Sequence, residues 1–438
     1  MLKKIIVCLV FMSVILVSAV PALTKDKVTL WVGWPLLMPT FEKVEKDYEE
    51  LNPDVDVEIL AYDIREFERK LAITLPAGTG PDIFITSEYI APMYIEAGYV
   101  AEPPEKIVEF VEDKYQPLVV QINTFDGKIY GVPHIGIARV LYWNKDMFFE
   151  EGIGGPPETW DELIDYAQKL AKYDSKGNLV RSGISMRLFG GGSGVTEKFA
   201  VHLCQAGGTV LGRTKDGKWR ANYNNEAGVD TVKLYVDIVH KYKADSFDIK
   251  HDTEAFALEL AAMYVRELFP IPQIREANPD LNFGTALMPR YKEWGTVFNT
   301  ESAFVYKMTE NYDLAWDLIE FFNQEKYLKE WFRNSGWIPP RIDIDFTDIF
   351  AEEPAYKTAL EFPEGYIFAT YPPLPCVDEI YTKLGERLEK AFRDSSLVDN
   401  PEGIKLVLEG AAEETNEILR ENGLYGEGEI EPYWVISK

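Results

Sequence analysis

Cysteine is almost absent: the chain has three in 438 residues, and Cys8 falls inside an apolar run at its very start. The other two, Cys204 and Cys376, cannot form a disulfide framework for a protein this long; an oxidising compartment would allow one bridge, and otherwise they are two small buried hydrophobes. Histidine is just as sparse. His134, His202, His240 and His251 are scattered, no HExxH or CxxC accompanies them, and a zinc site is not expected. Asp343, Asp345 and Asp348 lack the glycine and the registered closing Glu of a calcium loop, so they read as a solvated acidic loop. No GxSxG elbow occurs. The glycine run Phe189–Gly194 (FGGGSG) has neither GxGxxG spacing nor a following Lys-Ser/Thr, and reads as a mobile loop or a close backbone approach. No metal, cofactor or nucleophilic catalytic group is therefore expected.

Positive charge is also in short supply. Lys and Arg number 45 against 72 Asp and Glu, a formal net charge of −27. Such a field repels nucleic acid and anionic lipid headgroups, which excludes nucleic acid as the main partner. Glutamine occurs only six times while Glu, Lys and Tyr are plentiful, a bias seen in proteins of hot-growing organisms.

The long apolar run is confined to the start. Met1–Leu23 (MLKKIIVCLVFMSVILVSAVPAL) has a basic head, an apolar stretch from Ile5 to Val17 and small residues suited to cleavage at Ala19 or Ala22. The stretch is shorter than the roughly 18–20 residues of a membrane anchor. Residues 1–22 are expected to be a cleaved export signal, leaving a secreted chain without membrane insertion. Cleavage would remove Lys3 and Lys4 and take the net charge from −27 to −29. About 416 residues with 46% hydrophobic and 13% aromatic side chains suffice for two large lobes with real cores.

Along the chain, Val28–Val32 reads as a strand. Phe41, Val44, Tyr48 and Leu51 follow at helical spacing, with Thr40 as the expected cap. Val55, Val57 and Ile59 alternate like a half-buried strand. A helix through Phe67, Leu71 and Leu75 ends at Pro76–Gly80, and Asp82–Ile85 is a further strand. This β-α-β-α-β order predicts an α/β layer whose ligand crevice lies beyond the carboxyl ends of its strands. Asp126–Pro133 predicts a tight turn into a strand, Arg139–Asn144 a strand, and Thr159-Trp160-Asp161-Glu162 a capping box that opens a helix. Helices are expected around Glu226–Lys241, Thr253–Val265, Tyr312–Phe332, Val377–Phe392 and Pro401–Arg420. No flexible tether is evident, so several short crossings should join the lobes.

Five strings carry a resemblance: Leu75–Phe84 (LPAGTGPDIF), Asp126–Pro133 (DGKIYGVP), Leu141–Met147 (LYWNKDM), Pro157–Leu163 (PETWDEL) and Ser335–Arg341 (SGWIPPR). Their order and spacing resemble the extracellular solute-binding proteins of bacterial sugar ABC importers, the maltose-binding-protein-like family. The likeness spans nearly the whole mature chain. It implies a two-lobe α/β fold, each lobe a sheet flanked by helices, with residues 24–132 plus 290–337 in the first lobe and 133–289 plus 338–438 in the second. It further implies a monomer in the periplasm that closes on a carbohydrate ligand through its hinge and delivers it to ABC transporter permease subunits. Hinge closure around a ligand is the conformational change known for periplasmic binding proteins. The rival from the residues alone is a secreted glycan-cleaving enzyme using two carboxylates, since 72 acidic side chains always offer some pair.

Sugar recognition calls for aromatic faces together with planar polar groups. By the resemblance, Trp34, Glu88 and Tyr89 follow strands at the cleft edge, although Trp34 could be a core ring and Glu88 a helix N-terminal acid. His134 and Arg139 lie beside the hinge strand, His134 equally readable as an interior group. In the stretch AAMYVRELFPI, Tyr264 is a candidate; Arg266-Glu267 departs from the family's glycine-containing turn and Phe269 stands in for its tryptophan. Asn299, Thr300 and Ser302 resemble a polar turn at the cleft wall, Trp337 sits on the loop after the helix, and Tyr371 and Tyr381 flank the last crossing. If two of Arg139, Arg187, Arg266 and Arg341 faced the cleft, an acidic sugar would suit it. Salt bridges to the abundant acids are the other reading, and the one expected for most of the four.

Overall fold

The computed structural model describes residues 25–359 and 362–436, so the expected export signal lies outside the described residues. The first elements follow from local chemistry. Asp26–Val32 and Val55–Ala61 pair in parallel through all seven residues, and Leu30 and Trp31 pair in parallel with Ile83 and Phe84 of the strand Ile83–Ser87. The helix Ile64–Ala77 buries Phe67, Leu71 and Leu75 on one stripe and stops at Gly78, whose φ of 74° is a left-handed conformation that glycine adopts without steric cost. Asp126 and Gly127, with φ of 49° and 80°, turn the small hairpin of Thr124–Phe125 and Lys128–Ile129. At the capping box, Thr159 Oγ1 accepts from the Glu162 amide at 3.2 Å, starting the helix Trp160–Leu170.

The strand Gly295–Val305 organises the rest. All eleven of its residues are buried. Its first three residues pair in parallel with Ile367–Ala369, Phe298–Ala303 pair antiparallel with Val132–Ala138, and Glu301–Val305 pair antiparallel with Ile83–Ser87. One continuous strand therefore serves two regions of a seven-stranded mixed sheet. Immediately after Val132–Ala138 the chain passes Arg139 into Val140–Asn144. That strand is the centre of a separate antiparallel sheet, between Met263–Arg266 and Phe283–Ala286. Both passages are pinned together: the Arg139 amide donates to Val297 O at 3.3 Å, and Thr296 Oγ1 donates to Arg139 O at 2.8 Å. The sheets are covered by helices, which makes the protein α/β.

Three local expectations are corrected. Thr40 is not a cap. The helix Met38–Leu51 continues directly from the short 3-10 turn Pro35–Leu37, Pro39 fits its first turn, and Thr40 is buried inside it. The stretch 253–265 is not one helix: Asp252–Ala257 is helical, whereas Met263–Arg266 is a strand held by Val140–Asn144. A short apolar run fits either period, and here the sheet partner decides. Tyr312–Phe332 breaks into Tyr312–Phe322 and Glu325–Ser335; at the break, buried Asn323 Nδ2 donates to Ile319 O at 2.8 Å. Cys204 and Cys376 are free buried thiols.

The helix Glu325–Ser335 ends at Gly336, with φ of 68°. A Cβ there would lie 2.9 Å from Leu268 O and 2.9 Å from Phe269 Cα. Gly336→Ala combines backbone strain with a collision against backbone atoms. It should lower unfolding free energy by about 2 kcal/mol or more, read from denaturant midpoints; an unchanged midpoint would contradict this packing.

Candidate ligand-binding cleft

A cleft of about 380 Å³ lies between two groups of elements distant in sequence. On one side are Arg65, Glu68 and Arg69 from the helix Ile64–Ala77, with Tyr89 and Tyr94 from the segment after the strand Ile83–Ser87. On the other are Ser193 and Glu197 at the start of the helix Gly194–Gln205, with Tyr371, Asp378 and Tyr381. Across the rim, Arg65 Nη2 donates to Asp378 Oδ1 at 2.6 Å while Nη1 donates to Glu68 at 3.0 Å. The glycine run explains how Ser193 reaches the cleft. Gly190, Gly191 and Gly192 have φ of 134°, 69° and 58°, and a Cβ on Gly190 would sit 3.0 Å from Arg187 Nη2. The loop is a close backbone approach around that guanidinium.

Behind the tyrosines lies a buried polar network at the strand passages. Arg139 Nη1 donates to Asn299 Oδ1, Nη2 donates to Tyr371 OH at 3.1 Å, and Nε lies 2.8 Å from Glu267 Oε1. Lys198 Nζ donates to the same Glu267 oxygen at 2.8 Å, and Arg266 Nε is 3.2 Å from its other oxygen. Burial alone would raise the Glu267 carboxyl, but Lys198, Arg266 and Arg139 outweigh it and hold it well below the usual carboxylate range. Glu88 accepts from Asn299 Nδ2 at 2.7 Å and from the Thr300 amide at 2.9 Å, and Glu301 accepts from Trp34 Nε1 at 2.9 Å. Burial pushes Glu88 up to about 7 despite those hydrogen bonds. It pushes Glu301 up to about 8, against the Trp34 bond and with help from the Glu88 charge.

Four of the residues singled out from sequence form a ladder beside this network. The Trp34 and Trp337 rings lie 5.7 Å apart, Trp337 stacks on Phe269 at 4.8 Å and 18°, and Arg266 covers Phe269 with its guanidinium carbon 5.3 Å from the ring centre. Of the fourteen candidates, Tyr89, Tyr371 and Tyr381 line the cleft. Glu88, Arg139, Asn299 and Thr300 form the buried network, and Trp34, Arg266, Phe269 and Trp337 form the ladder.

The remaining three lie elsewhere. His134 packs among Phe41, Phe322 and Trp331, its ring centre 4.1 Å from that of Trp331, and burial lowers its pKa to about 4, which keeps it neutral. Tyr264 is fully buried against Tyr142 and Phe256. Ser302 Oγ donates to Asn123 Oδ1 at 2.7 Å, at the end of the helix Pro117–Ile122. These three are interior groups, enclosed by the rings and polar partners just named. The four arginines are all paired with acids: Arg139 with Glu267, Arg187 with Asp252, Arg266 with both, and Arg341 with Asp343. Sequence reasoning missed Arg65, Glu68, Arg69, Glu197 and Asp378. Charged positions on an amphipathic helix look the same whether they face solvent or a cleft, and no sequence signal separated them.

Two sheet regions joined through short strand passages, with a cleft between them, define a hinged binding protein. The model of the family described as bacterial extracellular solute-binding protein matches residues 43–358, and the chain belongs to that family. It is 24% identical to the maltotriose-binding protein of Pyrococcus abyssi (strain GE5 / Orsay) over 323 residues, 72% of this chain and 66% of that one. It is also 24% identical to the galactooligosaccharide-binding protein of Bacillus subtilis (strain 168) over 349 residues, 77% of this chain and 78% of that one. The solved sugar-binding protein MalE of Xanthomonas citri matches with a TM-score of 0.75 at 20% identity, covering 91% of this chain and 98% of that one, and shares the two-lobe α/β fold. Between capture and cleavage, membership decides for capture: this is a solute-binding protein outside the cytoplasm, not an enzyme. No helix among the described residues is long and apolar enough to cross a membrane.

The two raised carboxyls make stability depend on pH. Glu88 and Glu301 keep their protons in the native state to about 7 and 8, against 4.5 when unperturbed. The native state therefore binds more protons than the unfolded chain across that interval. The stabilisation they give is complete below the unfolded value and is lost as pH rises through 7 and 8. His134 and His202, lowered to about 4 by burial, act in the opposite sense at lower pH. Relative to wild type, the double variant Glu88→Gln/Glu301→Gln should lose less stability between about pH 5 and 8, measured by denaturant midpoints. Parallel profiles would contradict these assignments.

Proposed function

We propose that the cleft captures a sugar or short oligosaccharide and that closure around it presents the loaded form to the permease subunits of an ABC transporter. The observation that carries this reading is the cleft itself, with tyrosines and charged groups contributed from both sides and Arg65 paired to Asp378 across its rim. A ligand that touches both sides favours the closed state by its differential contacts, and that difference is what a transporter can read. Relatives named for maltotriose and galactooligosaccharide support the carbohydrate class. The tyrosine-rich lining suits the C–H faces of pyranose rings, and its carboxylates and guanidinium groups suit hydroxyls.

In this reading the protein works as a monomer in the periplasm after cleavage of its leader. Its lobes are residues 24–132 plus 290–337 and 133–289 plus 338–438, with contacts to the ligand from both. The two pinned passages, at Arg139 and within Gly295–Val305, support a hinge there. The pairing of Gly295–Val297 with Ile367–Ala369 supports drawing one boundary inside the long strand rather than at residue 290.

Mono-, di- and trisaccharides screened by thermal shift should include one that raises the melting temperature. A ligand at 100-fold excess over Kd adds about 2.7 kcal/mol. The responding sugar should be recovered chemically unchanged and should contract the molecule in small-angle scattering. Tyr89→Ala should weaken that sugar by about tenfold or more while barely moving unliganded stability, because the ring is half-buried at the cleft. Accumulating product, or a scattering curve indifferent to every stabilising sugar, would overturn the reading.

A further inference from the structure

The rings of the cleft do not form one flat stacking platform. Tyr89 meets Tyr371 at 5.1 Å and 68°, and Tyr371 meets Tyr381 at 4.9 Å and 66°. Rings meeting edge to face turn corners, and each wall offers electron-rich π density that attracts a cation. Arg139 lies 5.5 Å from the Tyr371 ring centre, so Tyr371 already tolerates positive charge on its ring.

The carboxylates of the cleft are not equivalent. Glu68 and Asp378 both bind Arg65, at 3.0 and 2.6 Å. Glu197, half-buried in the first turn of Gly194–Gln205, accepts from Ser193 Oγ at 2.7 Å, and no Lys, Arg or His forms an ion pair with it among the described residues. The nearby Arg139 and Lys198 are committed to Glu267. Arg69, the other cleft cation, is exposed, where its charge is screened by water. The four arginines that would have suited an acidic sugar are all tied to acids. What the cleft leaves unanswered is a negative charge enclosed by aromatic walls.

We propose that the ligand is an amino sugar, a hexosamine unit with a free ammonium group that sits against Glu197 within the walls of Tyr89, Tyr371 and Tyr381. This rests on the carbohydrate reading of the cleft and narrows it. The ammonium supplies the counter-ion Glu197 lacks, and the pyranose body occupies the remaining space toward Arg65 and Asp378. A charge-assisted hydrogen bond is about twice as strong as a neutral one, so replacing a hydroxyl by an ammonium should be visible in affinity.

The test is calorimetry on the full chain at pH 6, where an amine is cationic. The probes are D-glucosamine and its β-1,4-linked disaccharide, their neutral counterparts glucose and cellobiose, and N-acetylglucosamine. At least one aminated probe should bind about tenfold or more tightly than both its neutral counterpart and N-acetylglucosamine, a ratio that corresponds to about 1.4 kcal/mol. Raising ionic strength from about 0.01 to 1 M should shrink that ratio, a measurement that needs no variant. Glu197→Gln should weaken the aminated probe far more than the neutral one. Equal affinities for aminated and neutral sugars, or a preference indifferent to both salt and Glu197→Gln, would overturn the amino-sugar proposal and leave carbohydrate capture standing. If neither these probes nor the wider saccharide screen binds, the carbohydrate reading falls, and this proposal with it.

Discussion

The guanidinium of Arg139 is the point on which the molecule depends. It sits where one strand leaves the larger sheet for the smaller, and its three nitrogens reach Asn299 on the other passage, Tyr371 at the cleft and buried Glu267. Burying such a charge is tolerable because the Glu267 carboxylate lies 2.8 Å away and both terminal nitrogens find acceptors; an unpaired ion in that position would cost several kcal/mol. Lysine could not replace it, since a single ammonium cannot satisfy three partners in a planar fork. The Nη2 contact with Tyr371 also ties a ring of the cleft to the passages proposed as the hinge.

Around that point the protein separates rigid parts from adjustable ones. Glu267 is surrounded by Lys198, Arg266 and Arg139 and is held well below the usual carboxylate range, whereas burial pushes Glu88 and Glu301 up to about 7 and 8. The ladder of Trp34, Trp337, Phe269 and Arg266 adds apolar contact beside them. At the rim, by contrast, Arg65 and Asp378 have side chains more than half exposed, at 57% and 53%. A solvated pair of that kind is worth about 0.2–1 kcal/mol, enough to bias closure without locking it. The interior fixes the geometry, and the rim leaves it reversible.

How much could be read beforehand follows the same division. The strands at 26–32, 55–61 and 83–87 and the helix at 64–77 were legible because their apolar spacing matches a single period and their ends carry turn residues. The segment at 253–265 was not, since a short apolar run has no period of its own until Val140–Asn144 pairs with it. At the site, the family resemblance pointed to Tyr89 after its strand and to Tyr371 and Tyr381 beside the last crossing. The same logic gave no means of telling that His134 and Tyr264 face inward. Arg65 and Glu197 were invisible for the opposite reason: their neighbours in the cleft are hundreds of positions away or across a turn whose shape only glycine permits.

The strand Gly295–Val305 passes unbroken from one sheet region to the other with partners along its length. A fully laddered ribbon cannot stretch, and sliding it by one residue would turn every side chain to the wrong face. At the proposed hinge, what is left to it is torsion, shared among a few dihedrals where Thr296 and Val297 are pinned to Arg139. The jaws of such a clamp have one soft coordinate, an angle, and a guest is judged by the angle at which it lets them rest.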